Sequence, residues 1–253
     1  MNRNFEAARI LFRHGSRLDA KALLRHLWEA PDRRAADEFR VFSALIEIWT
    51  FENPRTAMFF LEAVIRGEGD LLGFWNRRSL AEQSSVLEWH GQLAYANADS
   101  FTALESLTRA ASLGRDNSLL WRLLALLHAS NGELDMALRF SKRSLQLHRQ
   151  PELDLCGGPS DDLGSFSGEH PLRFEGGLEG YMRILLMVTK LAKGQRNLKG
   201  VRELVMEMLH HFPDDARLPK IRLMLEKSIV ESSLRLGDSG LPRLRIGAEP
   251  SPL

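Results

Sequence analysis

One cysteine among 253 residues, Cys156, leaves no partner for an intrachain disulfide and fits a reducing compartment. Long apolar runs are missing as well. Ile184 to Val188 is soon interrupted by Lys190 and Lys193, far short of the ~18 residues a spanning helix needs. Met1 to Leu11 carries Glu6 and no continuous apolar core of secretory-signal length, so cytoplasmic residence is the expectation. Charge of one sign is also lacking: 34 Lys and Arg against 33 Asp and Glu give a net charge of +1. That balance removes any overall electrostatic reason to expect nucleic acid or an anionic membrane, and leaves only local patches. Absent too are a strand pattern for an α/β sheet, a phosphate-cradling loop and a His-x-x-x-His pair. His210 and His211 are neighbours, about 100° apart on a helix, and do not converge on one ion. No cofactor and no metal is expected.

Helical periodicity is what the chain does have. Phe5, Ala8, Ile10, Leu11 and Phe12 mark a short opening helix ending near Gly15, and Leu18, Ala22, Leu23, Leu27 and Trp28 mark a second, stopped by Pro31. A third runs from about Arg34 to Thr50 with Phe39, Phe42, Leu45, Ile46 and Trp49 as its apolar stripe. Asn53-Pro54 opens a fourth, whose Ala57, Phe60, Leu61 and Val64 face inward. These four helices form two hairpins. Gly67 to Asn76 reads as a glycine-rich loop that folds its Leu71, Leu72, Phe74 and Trp75 back onto the helices. Ser79 is placed to cap the helix carrying Val86, Leu87, Trp89, Leu93 and Tyr95.

The clearest unit spans Ser118 to Leu147. Trp121, Leu124, Ala125 and His128 share one face, Asn131-Gly132 stops the helix, and Leu134, Ala137, Leu138, Leu145 and Leu147 supply a second. Neither helix buries its apolar face alone, so the pair must stack on neighbours. Trp121 is expected in the core. With Trp121, Leu124 and Ala125 on the first helix, Gly132 in the turn and Ala137 on the second, the stretch resembles a tetratricopeptide repeat. Moving back 34 residues, the repeat length of that family, Ala137 falls on Ala103, Ala125 on Gly91, Ser144 on Ala110 and Leu147 on Leu113. The earlier copy departs from the pattern at Leu87 and His90, and Ser141 and Arg149 replace the usual aromatic and proline. Gly15, Ala20 and Leu24 echo Gly132, Ala137 and Ser141, and Met182 to Asp215 resembles another degenerate copy.

The resulting plan is an all-α superhelical array of antiparallel helix hairpins: repeats over 1–150, a Gly/Pro-rich loop over 151–178, a degenerate repeat and capping helix over 179–236, and a flexible tail over 237–253. In the last helix, capped by Asp214 or Asp215, Lys220, Arg222, Glu226, Lys227 and Glu231 give a wet outer face of the kind an end cap needs.

Arg13-His14-Gly15 with Arg17 resembles the phosphate-binding signature of the histidine phosphatases, in which arginines neutralise phosphoryl oxygens around a histidine nucleophile. Here Leu18 stands where that signature has proline and no strand precedes it, so the simpler reading is a helix C-terminus closed by Gly15. Cys156, Asp154, Asp161, Asp162, Glu169 and His170 share the long loop without a ligand spacing, and Arg235, Arg243 and Arg245 lie near the end without interleaved aromatics.

In the tetratricopeptide family the first helices of the hairpins line a concave surface that takes a peptide or a partner's helix. The resemblance carries this role onto Glu88, Trp89, Gln92 and Tyr95, then Leu119, Arg122, Leu123 and Leu126, as exposed inner positions. Glu88, Gln92 and Leu123 depart from the lysines and asparagines with which some members clamp a terminal carboxylate. An amphipathic or apolar segment suits this set better, with Arg122 and Glu88 fixing register. A non-catalytic adaptor, scaffold or chaperone-like subunit is therefore expected. The alternatives are an enzyme subunit with a site built by the 151–178 loop, and an RNA-binding helical array.

Overall fold

The computed structural model describes residues 3–30, 35–69, 71–148, 177–195 and 197–238. Among these residues there are twelve helices and no strand. They run α1 (Arg3–Arg13), α2 (Arg17–Glu29), α3 (Ala35–Glu52), α4 (Pro54–Arg66), α5 (Leu71–Asn76), α6 (Leu80–Ala96), α7 (Ser100–Ser112), α8 (Ser118–Ser130), α9 (Leu134–His148), α10 (Gly177–Gln195), α11 (Leu198–His211) and α12 (Arg217–Asp238). The chain is an all-α helical repeat array. α1–α2, α3–α4, α6–α7, α8–α9 and α10–α11 pair as hairpins, and each hairpin stacks on the next, with α12 laid on α11.

Small residues set how closely each pair approaches. Ala8 and Ala20, Ala125 and Ala137, and Ala57 are all fully buried. At Gly91 a Cβ would stand 2.6 Å from Leu107 Cγ and 3.2 Å from the Leu107 backbone nitrogen, so α6 and α7 cross closer than any side chain allows. Gly200 does the same between hairpins, since a Cβ there would lie 2.6 Å from Leu138 Cδ1 on α9. The turns repeat as faithfully as the crossings. Ser16 N to Leu11 O, Asp99 N to Ala94 O, Glu133 N to His128 O and Asn197 N to Ala192 O are all 2.9 Å, the same six-residue closure after four first helices.

Helix starts are fixed by side chains. Asn53 accepts from Arg55 N with Pro54 at the first position of α4, and Ser79 and Glu82 form a reciprocal capping box on α6. Asp99 and Asn117 cap α7 and α8, and Asp215 accepts from Leu218 N at 3.2 Å ahead of α12. Each such cap is worth about 1 kcal/mol.

Three apolar clusters run along the array. One joins α1, α2 and α3, one joins α3 to α6, and the largest runs from α6 to α12. Trp28 and Trp49 lean on both of the first two, and Met58, Ile65 and Trp75 join the second to the third.

Several expectations need correction. The glycine-rich stretch contains a helix, α5, because Phe74 is buried among Trp28 and Phe42, with ring centroids 5.4 and 4.9 Å away. Trp121 is half-buried rather than in the core: its ring lies 5.1 Å from that of Phe140 and its Nε1 donates to exposed Asp116 at 2.6 Å. On α12, Lys220, Lys227 and Glu231 are exposed but Arg222 and Glu226 are half-buried, and Leu223, Met224 and Val230 share the open side. The outer face of the last helix is thus mixed, not wet throughout. Most of the expected loop, including Cys156 and His170, and most of the expected tail, including Arg243 and Arg245, lie outside the described residues.

Candidate partner-binding face

The eight inner positions occupy the first helices α6 and α8, but they do not form an open surface. Glu88, Gln92, Arg122, Leu123 and Leu126 are buried, and Trp89, Tyr95 and Leu119 are half-buried. The expectation of exposure is corrected for the five buried residues, while Trp89, Tyr95 and Leu119 keep part of their surface open. The cause is that these positions join one hairpin to the next. The Glu88 carboxylate takes Arg115 Nε, Asn117 Nδ2 at 2.9 Å and Gln92 Nε2 at 3.1 Å, which ties α6 to the turn before α8. A buried carboxylate is tolerated only when charged and polar donors replace its water, as these three do. Trp89 stacks on Phe39 of α3, centroids 6.1 Å apart and planes 11° apart. Arg122 sets its guanidinium carbon 5.7 Å from the Tyr181 ring centre on α10.

Behind Arg122 lies a buried hydroxyl trio absent from the sequence reading. Tyr181 Oη is 3.0 Å from Ser118 Oγ and 2.8 Å from Ser144 Oγ, and Ser144 donates to the Ser118 carbonyl at 2.7 Å. It pins α8, α9 and α10 together. A comparable knot holds the earlier hairpins: Glu38 of α3 accepts from Arg78 at 2.8 Å and from Arg77 at 3.2 Å, and the Arg78 guanidinium carbon lies 4.7 Å from the Phe74 ring centre.

A serine, a histidine and an acid also meet between α4, α6 and α7. His90 Nδ1 lies 2.8 Å from Ser106 Oγ, and its Nε2 is 3.7 Å from Glu62 Oε1 and has no hydrogen-bond partner. Both Ser106 and His90 are 5% exposed. Burial holds the imidazole below its usual pKa, against the opposing pull of Glu62, Asp99 and Glu105. The serine is itself a helix residue of the α7 face packed on α6, so the set is placed to brace two hairpins rather than to meet a substrate.

The Arg13-His14-Gly15 stretch is a helix end. α1 stops at Arg13, Gly15 takes φ +88, and Arg13, His14 and Arg17 point to solvent. The Arg17 guanidinium carbon lies 5.6 Å from the Phe12 ring centre and 5.5 Å from that of Phe51. Among the described residues, no three His, Cys, Asp or Glu side chains converge as a metal site would need, and no helix is long and apolar enough to cross a membrane.

The fold has a solved counterpart. A structure described as the crystal structure of MamA protein superposes over 85% of this chain and 92% of that one, with a TM-score of 0.51 and 12% sequence identity. At that identity the likeness is one of fold, an all-helical repeat array. No protein-family model matches the sequence, and no curated protein matches it.

Proposed function

We propose that this chain is a non-catalytic scaffold of tetratricopeptide type, which holds a peptide or amphipathic helix of another protein against the inner side of its first helices. The 34-residue register of α6–α7 and α8–α9, their Gly91/Ala103 and Ala125/Ala137 crossings, and the MamA-like fold support the repeat reading. The observation that carries the binding reading is the division of the eight inner residues. Glu88, Gln92, Arg122, Leu123 and Leu126 are locked in place, and Trp89, Tyr95 and Leu119 keep part of their broad apolar surface open above them. A face already ordered in the free protein spares a partner the cost of ordering it, and large amphipathic side chains are the ones that dominate such contacts. The Glu88 carboxylate is occupied by Arg115, which disfavours an acidic register contact and leaves apolar anchoring as the main term.

The test is affinity capture from source-cell lysate with the parent and with a Tyr95→Ala/Leu119→Ser variant, after thermal melts confirm that both fold. Proteins retained by the parent and lost by the variant support this face. Retention of the same proteins by both moves binding elsewhere. Retained material that disappears after nuclease treatment would instead favour the RNA-binding array.

A further inference from the structure

The turn between α1 and α2 concentrates charge that the chain as a whole lacks. Over residues 9–21 the sequence has Arg9, Arg13, Arg17 and Lys21 against the single acid Asp19, with His14 at the centre. Arg9 lies 3.6 Å from Glu6 and Lys21 pairs with Glu52, but among the described residues Arg13 and Arg17 meet no acid. Arg17 is held at the tip by the Phe12 and Phe51 rings. Two aliphatic side chains stand within one helical turn of the same tip: Leu18 is 77% exposed and Ile10 is 55% exposed. Burying neither in the hairpin is costly in water, and each is flanked by a cation.

We infer that this tip is a docking point for an anionic lipid bilayer, with Arg13 and Arg17 among the headgroups and Leu18 and Ile10 at the acyl boundary. An anionic bilayer surface needs only exposed cations beside an exposed aliphatic, and the turn supplies both in Arg13, Arg17 and Leu18. A single tip of this kind gives weak, reversible attachment, and it is a surface separate from α6 and α8.

Co-sedimentation of the full chain with vesicles tests it, using phosphatidylcholine alone and phosphatidylcholine with one-third phosphatidylserine. The expected result is pelleting only with the anionic vesicles, abolished by molar salt. Arg13→Glu changes the local charge by two and should weaken the partition about 25-fold, taking about fivefold per charge. Leu18→Ser, which leaves the charge unchanged, should weaken it about tenfold. Lys220→Glu on α12 serves as the charge-matched control and should pellet almost like the parent. The inference is overturned if the parent ignores phosphatidylserine, if either tip variant pellets like the parent while melting normally, or if Lys220→Glu loses as much as Arg13→Glu. Binding of an acidic peptide without binding of vesicles would also overturn it.

Discussion

Ala98 closes α6 with φ +62, the position that Gly132 fills at φ +81 after α8. An L side chain in that conformation costs roughly 1 kcal/mol, because Cβ crowds the following carbonyl. Ala98→Gly should therefore raise stability by about that amount despite the extra freedom of glycine in the unfolded chain, and urea unfolding of both proteins would show it as a higher midpoint. His90 gives the residue-level prediction for pH. Its folded pKa is depressed below 6.5 by burial, so the native state binds fewer protons than the unfolded chain once the pH falls through that value. Stability contributed by neutral His90 is present above 6.5 and is lost on acidification toward the folded pKa. Glu62, Asp99 and Glu105 soften this loss without reversing it. Unfolding midpoints measured in a descending pH series should drop more steeply for the parent than for His90→Gln. Parallel curves would show that the brace between α4, α6 and α7 does not titrate in this range.

Among the elements, the α6–α7 crossing is one that a single methyl group tests. Gly91→Ala places a methyl 2.6 Å from Leu107 Cγ and 3.2 Å from backbone, and a helix backbone yields less readily than a side-chain tip. A loss of about 1–3 kcal/mol is expected, typical of overpacking. Adding Leu107→Ala should recover part of it, so a double-mutant cycle in chemical denaturation would give a favourable coupling. The hairpins themselves were legible in the sequence because they are written locally: small residues at Ala8, Ala20, Gly91, Ala103, Ala125 and Ala137, and Gly15 or Gly132 in the turns. α5 was not, since Gly67, Gly69 and Gly73 mask a helix whose only strong reason to form is a distant pocket for Phe74. Exposure along α6 and α8 was illegible for a related reason. The partners that bury Glu88 and Arg122 are Arg115 and Tyr181, 27 and 59 residues further on, and no helical period reports them.

At the scale of the molecule, the helices hold their neighbours in chain order, and three apolar clusters share only a few tryptophans, Met58 and Ile65. Stability in such an array is close to a sum over hairpins and their junctions. The end hairpin α1–α2 and the end helix α12 should then open before α6 to α9 do, and native-state hydrogen exchange is expected to show amides of α8 and α9 as the slowest. Uniform protection from α1 to α12 would mean a single cooperative unit instead.

The α1–α2 hairpin has one more consequence, for the spread of charge. Residues 1–30 hold six Lys and Arg and three Asp and Glu, a charge of +3, so the remaining 223 residues carry 28 against 30, or −2. The charge of an almost neutral molecule is therefore unevenly spread: the first hairpin is basic, and so is the stretch 183–202, with six Lys and Arg and no Asp or Glu, so a negatively charged surface meets two basic stretches. On a cation exchanger at neutral pH its retention should exceed what a net charge of +1 gives, because these two stretches and not the total meet the resin.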